Sequence, residues 1–208
     1  MITIISDYIG ALESKTTHRF RSWDICYEKF QSTTNNDLLS LHLAFFLASW
    51  GMYRGSSRLL QNNYLIHKEA VQIILSKQYP NDLLPPTFEA YYSQLKPLIQ
   101  KLKSHYLQQN ISPTDTLISK IILGTTALSP ALDRYFIEGV KSKGENFTCL
   151  SDESLMALYN YTIAHKKEIA ACKELVLKRI NKNYPSMKII DIYFWTLGYK
   201  KLNPKRSL

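Results

Sequence analysis

Apolar residues recur at intervals of three and four positions along almost the whole chain, whereas the strict alternation typical of β-strands is rare. This spacing predicts amphipathic helices that are separated by short polar turns. The predicted helices cover roughly residues 3–15, 22–32, 36–53, 56–77, 87–109, 113–123, 130–143, 152–181 and 186–197. The pattern therefore predicts an all-α fold.

Local sequence signals mark where several of these helices begin. Ser112-Pro113-Thr114-Asp115 is typical of an N-cap followed by a first-turn proline and a capping acid. We expect Ser129-Pro130 to open the next helix in the same way, and Ser151 or Asp152 to open the long basic helix. Prolines between residues 79 and 86 indicate a surface turn near the middle of the chain.

Nothing in the chain separates independent domains, since it contains no repeat, no low-complexity stretch and no long linker. Of the 208 residues, 45% are hydrophobic and 21% are charged, which is the composition of a globular protein. We therefore expect one compact helical domain over residues 1–208. A two-lobed domain that is divided at residues 79–86 is the alternative.

The net charge of +9 is concentrated near the C-terminus. Residues 1–159 hold 15 Lys and Arg against 14 Asp and Glu, whereas residues 160–208 hold 11 against 3. A basic segment of this kind is typical of a protein that binds a polyanion such as DNA. The alternative is a solvated basic face that only favours solubility.

Several function classes lack support in the sequence. Cys26, Cys149 and Cys172 lie far apart without a CxxC pair, so we expect free thiols and neither a zinc site nor a disulfide. The histidines show no metal-ligand spacing, and no Walker loop, GxGxxG or GxSxG motif occurs. Residues 1–15 do not resemble a signal peptide, and the apolar segment 38–53 is too short to span a bilayer. We expect a cytoplasmic monomer with no cofactor and no membrane association.

The segment 47–57, with the sequence LASWGMYRGSS, is the most unusual stretch of the chain. Backbone amides at a helix start, with an arginine beside them, form an anion site. The phosphate contacts expected here are Arg54, Ser56 and Ser57. The alternative is capping, in which Gly55 ends one helix, the next residue begins another and Trp50 lies in the core. The string resembles the hallmark of an uncharacterised bacterial protein family, a similarity that runs over most of the chain and implies no activity.

A second segment, 117–143, reads LISKIILGTTALSPALDRYFIEGVKSK. It resembles the core of the helix-hairpin-helix DNA glycosylases, in which a glycine-containing hairpin precedes an aspartate at the start of a helix. Asp133-Arg134-Tyr135-Phe136 matches the aspartate string of that superfamily. Lys120 stands where its bifunctional members carry a nucleophilic lysine. The usual LPGVG hairpin is reduced here to Leu123-Gly124-Thr125.

This resemblance implies a helix-hairpin-helix glycosylase-like fold that excises a damaged or modified base from DNA, in repair or in defence against phages. Asp133 would stabilise positive charge on the sugar and orient water, or Lys120 would instead attack C1′ and form a Schiff base. Thirteen residues separate the two positions, which leaves room for a helix end and a turn, so that both side chains can face one cleft. The alternatives are a helix-capping Asp133 and an exposed, solubilising Lys120.

A base that is excised must first leave the duplex and stack between aromatic side chains. The candidate base pocket consists of Trp50, Tyr53, Tyr91, Tyr92 and Trp195. Aromatic residues at helical spacing pack more often in a core, which is the alternative for each of them. The other candidate DNA contacts are Gly124, Thr125, Arg134, Lys141, Lys143, Lys166, Lys173 and Arg179. The rival interpretation is a non-enzymatic helical module that binds nucleic acid or protein.

Overall fold

The computed structural model describes residues 1–54, 58–79 and 85–205. Its α-helices are α1 (Ile2–Ser14), α2 (Arg21–Ser32), α3 (Asn36–Ser49), α4 (Lys68–Leu75), α5 (Phe88–Gln108), α6 (Asp115–Thr125), α7 (Arg134–Ser142), α8 (Asp152–Ala164), α9 (Lys166–Ile180) and α10 (Ser186–Leu202). Two 3₁₀ turns, Arg58–Gln61 and Tyr64–His67, lie between α3 and α4. These three ranges contain no strand, and the predicted all-α class is confirmed.

One hydrophobic core connects the helices, because each of them contributes buried side chains to the same cluster. The last helix, α10, is buried on all sides along most of its length, which is typical of a helix at the centre of a fold. It packs against α1, α7, α8 and α9. The position of α10 therefore determines how the start of α7 is placed.

The backbones of α7 and α10 approach each other very closely. A Cβ atom at Gly139 would lie 1.9 Å from the carbonyl oxygen of Phe194, and one at Gly198 would lie 1.8 Å from that of Tyr135. Glycine permits this approach because it carries no side chain. As a result the first turn of α7 lies against α10, with the rings of Tyr135 and Trp195 at 5.5 Å.

Two predicted helices are interrupted. The predicted helix 152–181 is divided at His165, whose backbone leaves the helical conformation between α8 and α9. The predicted helix 56–77 consists, in its described part, of the two 3₁₀ turns and α4. The side chain of Asn63 accepts a hydrogen bond from the amide of Leu65 and so begins a new turn.

The helix α7 begins later than predicted. Its N-cap is Asp133, and the expected start at Ser129-Pro130 is wrong. Residues 129–132 are not helical, and two of their backbone amides bind side chains of other helices. These hydrogen bonds run from the Ala131 amide to Asp191 Oδ1 and from the Leu132 amide to Ser119 Oγ.

The helix α6 begins and ends later than predicted. Thr114 rather than Ser112 caps it, by accepting a hydrogen bond from the amide of Leu117. Because α6 continues to Thr125, the expected hairpin is wrong, and Gly124 and Thr125 lie buried inside the helix. A Cβ atom at Gly124 would lie 2.6 Å from the ring of Phe46 on α3, so this glycine serves helix packing and not phosphate binding.

Candidate active site

The centre of the candidate site lies where α3 ends. Gly51, with a φ of +73°, takes the left-handed conformation that ends the helix. The amide of Met52 donates back to the carbonyl of Leu47 at 2.9 Å, as in a Schellman motif. The last carbonyls of a helix lack donors within it, and that of Trp50 accepts a hydrogen bond from Lys120 Nζ at 2.8 Å. The end of α3 therefore binds the Lys120 head group.

The two carboxylate oxygens of Asp133 have different partners. Oδ1 accepts hydrogen bonds from the amides of Tyr135 and Phe136, both at 3.1 Å, and so caps α7. Oδ2 lies 3.5 Å from Lys120 Nζ. The preceding residue, Leu132, is held at its amide by Ser119 and at its carbonyl by Thr116. The backbone that carries Asp133 is thus fixed on α6, the helix that carries Lys120.

Lys120 is 4% exposed, so it is not the exposed lysine that was the alternative. Burial lowers the pKa of Lys120, because it disfavours the ammonium ion. The carboxylates of Asp133 and Asp191 oppose this shift, and Arg54 adds to it. A lysine with a lowered pKa holds more of its neutral amine form, which is the form that acts as a nucleophile.

A second buried ion pair adjoins the first. Lys188 Nζ lies 3.0 Å from Asp191 Oδ2, one turn apart on α10. Burial raises the pKa of Asp191, and the charge of Lys188 opposes that shift. Both pairs line one small cavity of about 10 Å³, together with Trp195. No sequence motif indicated this second pair, because both residues lie outside the segments 47–57 and 117–143.

The Lys120–Asp133 pair also lines an open cleft of about 460 Å³, a volume that is typical of small-molecule sites. Its charged lining consists of Arg19, Arg54, Lys120, Asp133 and Arg134. Its aromatic lining consists of Trp50, Tyr135 and Trp195. The side chain of Asp133 is 13% exposed, so it is accessible from this cleft as well as being a helix cap.

The aromatic side chains of the cleft are held by Arg19 and by one another. The guanidinium carbon of Arg19 lies 5.1 Å from the ring centroid of Trp50 and 5.7 Å from that of Trp195. The two indoles meet edge to face at 5.5 Å. Trp50 Nε1 donates to Ser22 Oγ, whereas Trp195 Nε1 is buried without a hydrogen-bond partner among the described residues. The Trp195 indole therefore carries a buried donor that no described protein group satisfies.

The predicted base-pocket residues lie in different places. Trp50 and Trp195 line the cleft. The hydroxyl of Tyr53 bonds to His67 Nε2 at 2.8 Å, outside the cleft lining. Tyr91 lies in the core, where its hydroxyl donates to the carbonyl of Leu128. Tyr92 packs against Phe88. The structure thus brings two of the five predicted residues to Asp133.

The predicted DNA contacts are also dispersed. Arg54 and Arg134 line the cleft. Lys141 and Lys143 are exposed near the C-terminal end of α7, and Lys166 is exposed at the start of α9. Lys173 is half-buried on α9. Ser56 and Ser57 lie outside the described residues. The sequence reasoning missed Arg19 and Tyr135 as cleft residues; Tyr135 lies in the quoted aspartate string, whereas no sequence signal marked Arg19.

Several cations of the basic C-terminal quarter form ion pairs. Arg179 pairs with Glu13 and also donates to Ser6, so it connects α9 to α1. Other cations of this quarter are paired with carboxylates as Lys182–Glu28, Lys188–Asp191, Lys200–Asp7 and Lys201–Glu138. Four of these five carboxylates, all except Asp191, belong to residues 1–159, so they neutralise part of the charge excess that is read along the sequence.

In the described part of the chain, no group of three or more His, Cys, Asp or Glu side chains is placed to hold a metal ion. Cys26, Cys149 and Cys172 are free thiols. None of the helices within the described ranges has the length and apolar character that crossing a membrane requires.

No protein-family model matches this chain, and no match was found among curated proteins or among solved structures. Any functional conclusion must therefore come from the chemistry of the cleft.

Proposed function

We propose that this protein is a DNA glycosylase, a cytoplasmic monomer that releases a damaged or modified base from DNA. The proposal is carried by one observation, the buried Lys120 beside Asp133 in the wall of a cleft with aromatic and cationic lining. A lysine with a lowered pKa and a specific carboxylate partner, located in a cleft, is typical of a catalytic group.

Base release requires that the bond between C1′ of the sugar and the base be broken. In a lysine route, the lone pair of Lys120 Nζ forms a bond to C1′ while the electron pair of the glycosidic bond leaves with the base. The base takes a proton from solvent, and the nitrogen gives a proton to Asp133. The nitrogen lone pair then forms the C1′=N bond of a Schiff base while the C1′–O4′ bond breaks, and O4′ takes the proton from Asp133. In a water route, Lys120 stays an ammonium ion, and Asp133 stabilises the positive sugar and accepts the proton of water.

The lining of the cleft supports a nucleotide as the occupant. Indole and phenol side chains, which line this cleft, are the kind of side chain against which a base that has left the duplex packs. Arginines at the cleft can bind the flanking phosphates. A second cavity, of about 600 Å³, shares Gly51, Met52 and Arg54 with the cleft and also includes Arg58. The two cavities provide room for more than one nucleotide of a strand.

A non-enzymatic module that binds nucleic acid or protein is the second candidate, and one observation favours it. Lys120 and Asp133 each bind a helix end, since Lys120 donates to the last turn of α3 and Asp133 caps α7. A purely structural pair would make the same contacts. The two candidates differ in one result, because the module releases no base.

The test is incubation with duplexes that each carry one modified base, followed by alkaline cleavage at abasic sites. We expect the wild type to cleave at the modified position. If borohydride traps wild-type protein on DNA but not the Lys120→Ala variant, the lysine route holds. If abasic sites form without trapping, the water route holds.

Lys96 and Asp152 provide a matched control, because they form an exposed Lys–Asp pair that lies outside the cleft. Lys96→Ala and Asp152→Asn should retain full activity. If the wild type releases no base from any of the modified duplexes, the glycosylase proposal fails and the binding module stands.

A further inference from the structure

The charges of the cleft are strongly unbalanced. Its lining carries three guanidinium groups and one ammonium group, on Arg19, Arg54, Arg134 and Lys120. Against these stands a single carboxylate, that of Asp133, of which one oxygen is already bonded to two amides. A positively charged ligand would meet uncompensated repulsion here, which costs several-fold more in a partly dehydrated cleft than in water.

The aromatic rings of the cleft already have a cation as their neighbour. A charged base is attracted to an indole by the electron-rich face of the ring. In this cleft Arg19 lies over the faces of Trp50 and Trp195. The rings therefore offer less attraction to a second cation than free rings would.

The hydrogen-bonding groups of the cleft are mainly donors. Arginine and lysine side chains can only donate. Trp195 Nε1 is also a donor, and it is buried without a partner in the described part of the protein, on a side chain that is 3% exposed. Buried donors in folded proteins are almost always satisfied. Since this atom has almost no accessible surface, the guanidinium and ammonium groups are the donors that a ligand in the cleft meets.

We infer that the cleft takes a neutral base whose edge carries carbonyl oxygens, and that it discriminates against positively charged, N-alkylated bases. This inference rests on the proposed function, because it names the class of base that the glycosylase would release. Carbonyl oxygens match the donors, and a neutral ring avoids the repulsion from the four cations of the lining.

Guanosine and 7-methylguanosine form a matched pair of probes, since they differ by one methyl group and by a positive charge on the ring. Their binding is measured by quenching of tryptophan fluorescence, in mildly acidic buffer in which the methylated base is a cation. We expect guanosine to bind about tenfold or more tightly than 7-methylguanosine.

Variants of the cleft make the test specific. Arg19→Gln should reduce the difference in affinity between guanosine and 7-methylguanosine, because it removes the cation over the indole rings. Lys96→Gln is the control outside the cleft and should leave both affinities unchanged.

Each outcome separates this inference from the proposed function. Equal or tighter binding of 7-methylguanosine overturns the inference, and release of alkylated bases from DNA would then still support a glycosylase. Preferential binding of guanosine without any base release supports the selectivity of the cleft and overturns the proposed excision. If neither nucleoside binds and no base is released, both proposals fail.

Discussion

Asp133 can be tested as a charge and as a cap separately, because its two oxygens have different partners. Asparagine keeps an oxygen that accepts from the amides of Tyr135 and Phe136. It removes the negative charge 3.5 Å from Lys120 Nζ. We therefore expect Asp133→Asn to lower the rate of base release a hundredfold or more, a loss of about 3–4 kcal/mol in transition-state stabilisation.

The stability of this variant is measured by urea unfolding. Lys120 loses its counter-charge but keeps the carbonyl of Trp50, so we expect a loss of about 1–3 kcal/mol and a folded protein. The double variant Lys120→Met/Asp133→Asn should recover most of that stability and none of the activity. Full activity of Asp133→Asn would contradict the assignment of this carboxylate to the chemistry.

The second buried pair, Lys188–Asp191, is expected to influence the protonation of Lys120. The charge of Asp191 raises the pKa of Lys120, against the lowering effect of burial and of Arg54. Lys188→Met/Asp191→Asn removes this carboxylate without leaving an unpaired buried cation. We expect the pKa of Lys120 to fall in the double variant, as measured by NMR titration of lysine labelled with ¹³C at Cε.

An exposed pair on the same helix provides the comparison. Lys200–Asp7 joins α10 to α1 at the surface, and Lys200→Met/Asp7→Asn should leave the pKa of Lys120 unchanged. The signal is assigned with Lys120→Ala. An unchanged pKa in the Lys188/Asp191 variant would show that the two buried pairs do not interact. This result does not depend on any activity of the protein.

At the level of helices, the close approach of α7 and α10 determines the shape of the site. Gly139 and Gly198 allow the two backbones to touch, and this contact places Tyr135 beside Trp195. Alanine at either position would force backbone atoms apart. We expect Gly139→Ala and Gly198→Ala each to lower the free energy of unfolding by about 3 kcal/mol or more in urea unfolding.

Gly10 on α1 is the matched helical glycine. A Cβ there would meet only Arg179 Nη2, at 3.8 Å. Gly10→Ala should therefore stabilise the protein by up to about 1 kcal/mol, because alanine has the higher helix propensity. If Gly198→Ala were as stable as Gly10→Ala, the close crossing of α7 and α10 would be refuted.

Most helix positions were predictable from the sequence, because apolar spacing and caps such as Ser151 are local signals. The ends of α6 and α7 were not, since they depend on hydrogen bonds from distant residues such as Asp191. Lys120 and Asp133 were predicted from the resemblance of the segment 117–143 to the DNA glycosylases. The burial of Lys120 was not predictable, because it depends on the end of α3, and Arg19 reaches the cleft from the far N-terminal part of the chain.

At the level of the whole molecule, ion pairs change the expected DNA-binding surface. Arg179 is engaged by Glu13 and Ser6, whereas Arg19, Arg54 and Arg134 line the cleft. We expect DNA affinity of about micromolar or tighter at low salt, with a steep loss as salt rises. Replacing the three cleft arginines by glutamine should reduce the slope of log K against log salt by about 0.9 for each DNA phosphate that the variant no longer neutralises.

Lys141, Lys143 and Lys166 provide the comparison for this salt dependence, since they are exposed cations that do not line the cleft. Changing these three lysines to glutamine should reduce the slope less than the change of the cleft arginines does. Fluorescence anisotropy with a labelled duplex measures both slopes. The reverse order would place the DNA on the surface formed by α7 and α9 and away from the cleft.

The stability of the whole fold should fall at alkaline pH, because several tyrosines are buried in its core. Burial raises the pKa of Tyr8, Tyr91, Tyr106 and Tyr184 well above the ordinary value, since it disfavours the phenolate ion. In the unfolded chain the same groups lose their protons near pH 10, at about their ordinary pKa. Above about pH 10 the folded state binds more protons than the unfolded state. The free energy of unfolding therefore keeps its full contribution from these tyrosines below that pH and decreases as the pH rises above it.

Each such tyrosine contributes a slope of about 1.4 kcal/mol per pH unit once the unfolded chain is deprotonated. The lowered pKa of Lys120 acts in the opposite direction below that range, because there the unfolded chain holds the extra proton. Urea unfolding at a series of alkaline pH values measures the net slope. Tyr91→Phe loses the hydrogen bond to Leu128, which costs about 1 kcal/mol of stability at neutral pH. It should also make the decrease of the unfolding free energy with pH shallower by about 1.4 kcal/mol per pH unit, because one proton fewer is released on unfolding. A slope that is equal in wild type and Tyr91→Phe would mean that Tyr91 is accessible to water in the folded protein.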